Sequence, residues 1–160
     1  MTGITWLHLS DWHQSGKDFD RVILRDALLN DIEGRINISP DLAKIDFIIF
    51  SGDVAYAGKS DEYSAAKKEL FDPLLKATGL SPDRLFIVPG NHDLDKDKFD
   101  LLPAALTRPL KSDAEIQNWL NDDVKRGRLL DPFEAFTRFV TKYTGQDRSD
   151  YGSVRKLVCV

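Results

Sequence analysis

Ile45-Asp46-Phe47-Ile48-Ile49-Phe50-Ser51-Gly52-Asp53 decides the fold. Its first six residues are apolar but for Asp46, and Ser-Gly-Asp closes the run. A short, nearly continuous apolar run bounded by turn residues reads as a strand covered on both faces, as in a parallel sheet. Outward from it, Ile4 to Leu9 and Leu85 to Val88 read as two further strands. Helical patterns lie between them. Residues 20 to 36 carry Ile23, Ala27, Leu28, Ile32 and Ile36 near one helical face. Residues 61 to 78 carry Tyr63, Ala66, Leu70, Leu74 and Ala77, with Ser60 as N-cap and Gly79 as the stop. Pro73 should kink or restart that helix. Strand, helix, strand, helix, strand is a repeated βαβ pattern, so the expected class is α/β with a parallel sheet.

After Asp93 the texture changes. Leu101, Leu102, Leu106 and Leu110 sit among charges, with Pro103 and Pro109 as breaks. Ser112-Asp113-Ala114-Glu115 is a capping-box pattern that opens a helix through about Asn121. Asp131-Pro132-Phe133-Glu134 opens another, with Phe136, Phe139, Val140 and Tyr143 as a core-packing stripe. Residues 94–145 thus read as a helical, insertion-like stretch within a single domain spanning 1–160. Leu157-Val158-Cys159-Val160 looks like a strand met at its start, so the domain is expected to be cut short at its C-terminal end.

Composition narrows the function classes. The 160 residues carry 22 Lys and Arg against 26 Asp and Glu, a net charge of −4. That is ordinary globular composition. No apolar run reaches the roughly 20 residues of a membrane helix, and no secretory leader is expected ahead of the first strand. The single cysteine, Cys159, excludes an internal disulfide framework and a Cys-based zinc site, and is expected as a buried thiol. A cytoplasmic protein without a membrane partner is expected. The charge does not indicate nucleic acid, although bound cations would attract polyanions locally.

The chemistry lies where the strands end. The first is followed by Ser10-Asp11-Trp12-His13, the second by Ser51-Gly52-Asp53-Val54-Ala55-Tyr56, the third by Pro89-Gly90-Asn91-His92-Asp93. Open α/β sheets bind ligands beyond the carboxyl ends of their strands. Asp11, His13, Asp53, Asn91 and His92 would then share one edge. Carboxylate, imidazole and amide oxygen suit Mn²⁺, Fe or Zn²⁺. A single Asp after a strand is more often a cap or turn residue, and a single His more often structural. Three such loops in succession argue for a metal site.

Asp11-Trp12-His13, Gly52-Asp53 and Gly90-Asn91-His92-Asp93 resemble the D-x-H, GD and GNH(D/E) motifs of the calcineurin-like metallophosphoesterases, at intervals of roughly 40 residues. The resemblance covers residues 4 to 93. It implies the first part of an α/β/β/α sandwich: two packed mixed sheets flanked by helices. It also implies hydrolysis of a phosphomonoester or phosphodiester by a metal-activated hydroxide. Asp11 and His13 would ligate one divalent ion, Asp53 would bridge, and Asn91 would ligate the second through its side-chain oxygen. His92 would stabilise the transition state or protonate the leaving oxygen, and Asp93 would orient His92 by a hydrogen bond. Two cations about 4 Å apart would clamp the attacking and leaving oxygens.

The family also uses a later isolated His and a G-H-x-H motif, yet this sequence holds only His8, His13 and His92. Two ions are expected for a complete domain, and one or none for this chain alone. The expected partners are a phosphoester substrate and a downstream half or domain that completes the site. The alternative is a non-catalytic metallophosphoesterase-like sensor or interaction module. Asp53-Val54-Ala55-Tyr56 is similar to the GDxxY of purple acid phosphatases, but His13 departs from that branch, so Tyr56 is read as packing or surface rather than as a ligand. Neither the stretch after the GD of Ser/Thr phosphatases nor that of the DNA-repair nucleases is present. Residues 52 to 75 look most like bacterial members related to cyclic-nucleotide phosphodiesterases, a branch with diverse substrates. No P-loop or G-x-G-x-x-G supports a simple phosphate-binding domain.

Overall fold

A computed structural model describes residues 3–15, 19–102, 104 and 111–145. Strands β1 (Trp6–Leu9), β2 (Phe47–Ser51) and β3 (Leu85–Val88) form one parallel sheet whose spatial order follows the chain. Trp6 pairs with Phe47, Leu9 with Phe50, Ile48 with Leu85 and Ser51 with Val88. The predicted class holds, and β3 has its predicted bounds. β1 and β2 start later than their apolar runs. Ahead of them Asp46 N–H donates to the Thr5 carbonyl at 2.7 Å, and Thr5 N–H to the Asp46 carboxylate at 3.0 Å.

Sequential order with right-handed crossovers puts both connections on one face. There α1 (Phe19–Gly34) packs on α3 (Asp72–Thr78). Ile48, Phe50, Leu85 and Ile87 form the covered face, none more than 5% exposed. Each such side chain contributes about 1.5–3 kcal/mol of burial. The strand alternation sends Trp6, Phe47, Ile49, Phe86 and Val88 to the other face. The expectation that β2 is covered on both faces therefore fails among the described residues. Its continuous apolar run reflects one covered face and one open aromatic face.

α1 also corrects its predicted stripe. Ile32 is buried and Leu28 packs on the core with Leu29, but Ile23 and Ile36 are more than half exposed and Ala27 is exposed too. Arg21 and Arg25 take the inward line at the start of the helix because Arg21 reaches the loop after β1. The second connection behaves as predicted. Tyr63, Ala66, Leu70 and Leu74 are all buried, and Gly79 ends α3 with a left-handed φ of 74°. α2 (Ser60–Ala66) passes through one wide π-type turn, Lys67–Phe71, into α3. The wider turn lies just ahead of Pro73, which has no N–H to give the regular ladder. Ser60 is the first helical residue rather than the cap. Glu62 reaches back to the N–H groups of Lys59 and Ala57, at 2.9 and 3.0 Å.

The helical stretch holds α4 (Lys96–Asp100), α5 (Asp113–Asn121), α6 (Asp123–Leu130) and α7 (Glu134–Thr144). Ser112 caps α5 by accepting from Glu115 N–H. α6 has no counterpart in the sequence reading; Asp122 opens it by accepting from Val124 and Lys125. Pro132 falls in a tight turn, Asp131–Phe133, before α7. α7 packs on α2, with Phe136 and Val140 buried and Phe139 stacked between Tyr63 and Tyr143. These aromatics are core packing, as expected. The predicted strand Leu157–Val160, with Cys159, lies outside the described residues. No helix among them is long and apolar enough to cross a membrane.

Candidate metal centre

The loops after β1 and β2 stay laddered beyond the sheet. Asp11 N–H donates to Gly52 O, His13 N–H to Asp53 O, Gln14 N–H to Val54 O and Tyr56 N–H to Gln14 O, all at 2.8–3.1 Å. Within this ladder Asp11, His13 and Asp53 have φ of 59°, 49° and 56°, the only positive values at described non-glycine residues. That conformation is sparsely populated, though Asp and His tolerate it better than most, and it persists where surroundings hold it. All three are predicted metal ligands.

Two glycines weld the second loop to the third. A Cβ on Gly90 would stand 2.2 Å from Asp53 Oδ1, and one on Gly52 3.1 Å from the Gly90 Cα. Only a bare backbone lets the chain pass so closely. Buried Trp12 turns inward and donates from Nε1 to Gln14 Oε1 at 2.6 Å. Arg21 donates to the His13 carbonyl at 2.9 Å, to Ser15 Oγ at 3.2 Å, and to the Ser15 carbonyl. Sequence reasoning missed Gln14 and Arg21. Gln14, one residue past D-x-H, was the only local signal.

His13, Asp53 and His92 come together, each offering one donor atom, all within 4.8 Å of one another. The His13 and His92 rings meet edge-on at 4.7 Å. Asp53 divides its oxygens: Oδ1 accepts from His92 N–H at 2.9 Å, while Oδ2 stands 3.9 Å from His13 Nε2. Asp11 borders the group, with Oδ1 at 3.6 Å from the same nitrogen and its side chain mostly exposed. Asn91 precedes His92 in the turn Asn91–Asp93 and is exposed.

His92, expected as a catalytic group, thus joins the donor cluster. Its ring Nδ1 lies 2.8 Å from the Tyr56 carbonyl. A carbonyl can only accept, so Nδ1 carries the proton and Nε2 is the ring's free position. The predicted bond from Asp93 to this ring is replaced by that contact. Asp93 is fully buried and its carboxylate accepts from Val54, Ala55 and Gly90 N–H and from Tyr63 O–H, at 2.9–3.2 Å. It sits between the second and third loops and holds them together. Tyr63 and the three loop amides take its oxygens, so the imidazole bonds elsewhere.

These residues fit a divalent cation. His13 Nε2 stands 3.6 Å from Asp11 Oδ1 and 3.9 Å from Asp53 Oδ2, beyond hydrogen-bond length from both carboxylates. Donors gathered but not bonded to one another are what a shared cation about 2.1 Å from each requires.

The calcineurin-like phosphoesterase profile matches residues 4–156. An uncharacterized metallophosphoesterase-like protein, YydB, of Bacillus subtilis (strain 168) is 34% identical over 94 residues. That match covers 59% of this chain and 18% of the Bacillus protein. Two laddered loops with a third tied to them, their donors at one edge and a profile match along nearly the whole chain lead to one statement: the chain belongs to the calcineurin-like phosphoesterase family.

Proposed function

We propose that the protein hydrolyses a phosphomonoester or phosphodiester with Mn²⁺, Fe or Zn²⁺ held at the carboxyl edge of the sheet, in the cytoplasm. The observation that carries this reading is the meeting of His13, Asp53 and His92 from three separate loops. His13 Nε2 and Asp53 Oδ2 would be the holding atoms, with Asp11 at the rim and Asn91 next to His92. When bound, divalent ions supply positive charge to the phosphoryl oxygens and acidify water. Asp53 also fixes the third loop through His92 N–H, so one side chain holds the ion and places the imidazole. With Nδ1 bonded to Tyr56 O, His92 presents Nε2 to the substrate side. In the imidazolium form Nε2–H would give its proton to the leaving oxygen.

A second reading, a non-catalytic module of the same family, draws on one observation: none of this chain's histidines follows His92. Metal content after Mn²⁺ loading and desalting, with turnover of bis(p-nitrophenyl) phosphate and p-nitrophenyl phosphate, decides between them. Asp53→Asn should weaken metal binding by at least the roughly 10–100-fold that loss of a supporting partner costs, and Asp11→Asn by less. His92→Ala should lower turnover and leave metal content largely intact; loss of both makes His92 a ligand. Retained metal without turnover favours the module. No retained metal leaves this chain with half a site and overturns hydrolysis by this chain alone.

A further inference from the structure

The structure assigns a substrate-selecting role to the ring of Tyr56, an assignment that rests on the phosphoesterase reading above. Val54 and Ala55 are completely buried, and then Tyr56 turns outward with 56% of its surface exposed. Its backbone is pinned on both sides. The N–H donates to Gln14 O at 3.1 Å, and the carbonyl accepts from His92 Nδ1 at 2.8 Å. Tyr56 therefore ties the first loop to the third through atoms that any residue other than proline could supply. The side chain is not needed for that tie.

The ring lies beside the donor group instead. Its centroid is 5.4 Å from that of His92, at an interplanar angle of 38°. His92 in turn meets the His13 ring edge-on at 4.7 Å. Tyr56 is thus a large aromatic surface beside the His92 ring, open to solvent and carried on a backbone bonded at both its N–H and its carbonyl. An exposed aromatic gains most by covering another flat group. We propose that it stacks on the alcohol portion of the ester. The site would then favour esters of aryl or nucleoside alcohols over those of small alkyl alcohols.

The test uses two non-hydrolysable probes, phenylphosphonate and methylphosphonate, titrated calorimetrically into Mn²⁺-loaded protein. Metal content is measured in the same samples. Wild type should bind phenylphosphonate the more tightly. Tyr56→Ala should weaken phenylphosphonate roughly tenfold, the scale of one aromatic stack. It should leave methylphosphonate binding and metal content unchanged. Tyr56→Phe should behave as wild type, because the ring and not the phenol oxygen is the platform. Equal loss of both probes in Tyr56→Ala would overturn the assignment, as would a Phe variant as weak as the Ala variant or a wild type without preference. Failure of the phosphoesterase reading looks different. Neither probe then binds the metal-loaded wild type, and the platform falls with it.

Discussion

Along the carboxyl edge of the sheet, backbone ladders and one buried carboxylate lock three loops together. On the open face of the same strands, Trp6 stacks on Phe47 at 6.2 Å, Phe47 meets Phe86 edge-on at 5.8 Å, and Trp6 and Phe86 remain 55% and 43% exposed. The edge is polar and its described groups are largely paired within the chain. The face is apolar and mostly uncovered by the described residues. The contrast teaches that the site's geometry is set locally, by contacts among residues 11–15, 52–63 and 89–95, without any help from that face. Edge and face should therefore respond separately to mutation.

Asp93→Ala strikes the edge hardest. It leaves the buried Val54 and Ala55 N–H groups and the partly buried Gly90 N–H without their carboxylate acceptor, while the Tyr63 hydroxyl keeps the Asp93 carbonyl at 3.2 Å. At about 1–3 kcal/mol per unsatisfied group, and allowing for non-additivity, the loss is on the order of 4 kcal/mol. Urea unfolding measures it, and metal retention should fall with it because the second and third loops part. Asp93→Asn keeps one acceptor oxygen and should lie between. A cost for Asp93→Ala below about 1 kcal/mol, no more than an ordinary hydrogen bond, would break the comparison.

What could be read in the sequence follows the same division. Apolar runs closed by Asp11-Trp12-His13, Gly52-Asp53 and Gly90-Asn91-His92-Asp93 announced both the strands and the edge, because a strand's end and its loop are contiguous. The Asp93 bonds to Tyr63 and the Val54 and Ala55 amides were hidden, because those partners lie 30–39 residues away. The partner of the His92 ring was hidden too, being a carbonyl, which no side-chain pattern records. The stripe on α1 misled because Arg21 and Arg25 face inward where a periodic reading expects apolar residues. α6 was missed because Asp123–Leu130 carries Gly127 and little apolar periodicity. β2 alone could not say whether both its faces were covered, since Phe47 and Ile49 are apolar on either reading.

The open face gives a smaller effect on stability and a larger one on association. Trp6→Ser removes an exposed ring, so the unfolding free energy should move by less than about 1 kcal/mol. The face should nevertheless bind an environment-sensitive apolar dye and drive self-association in this chain, and the variant should reduce both. Light scattering and dye titration read this out. A clean wild-type monomer that binds no dye would show the face to be sealed, and the contrast with the edge would disappear.

The smallest effect sharpens where the edge stops. Beyond Asp93 the loop continues to Asp95, which is buried, accepts from Asp97 N–H, and gives its own N–H to Pro132 O at 2.9 Å. Gly58 passes so close that a Cβ there would stand 2.6 Å from Asp95 N. Lys59 reaches over with its ammonium 2.6 Å from Asp95 and 2.7 Å from Asp97. Burial pushes the Asp95 carboxyl up, but the Lys59 ammonium and the Lys98 and Asp97 amides more than offset it, so its pKa lies below the usual carboxylate value. A depressed carboxylate contributes stability above its unfolded pKa of about 3.9, and that contribution is lost as pH falls through the lower folded value. Lys59 is raised by its bonds to Asp95 and Asp97, so its share is present below the ordinary lysine range and is lost only as pH rises beyond it. Asp95→Asn should accordingly flatten the fall of the melting temperature on the acid side, below about pH 4. At neutral pH it should lower the melting temperature by about 2 °C, since an ion pair whose lysine is solvent-exposed contributes little. Both pH arms should leave metal retention by Asp53 at neutral pH unchanged. A loss of metal in Asp95→Asn would extend the ordered edge outward to include the Lys59 pair.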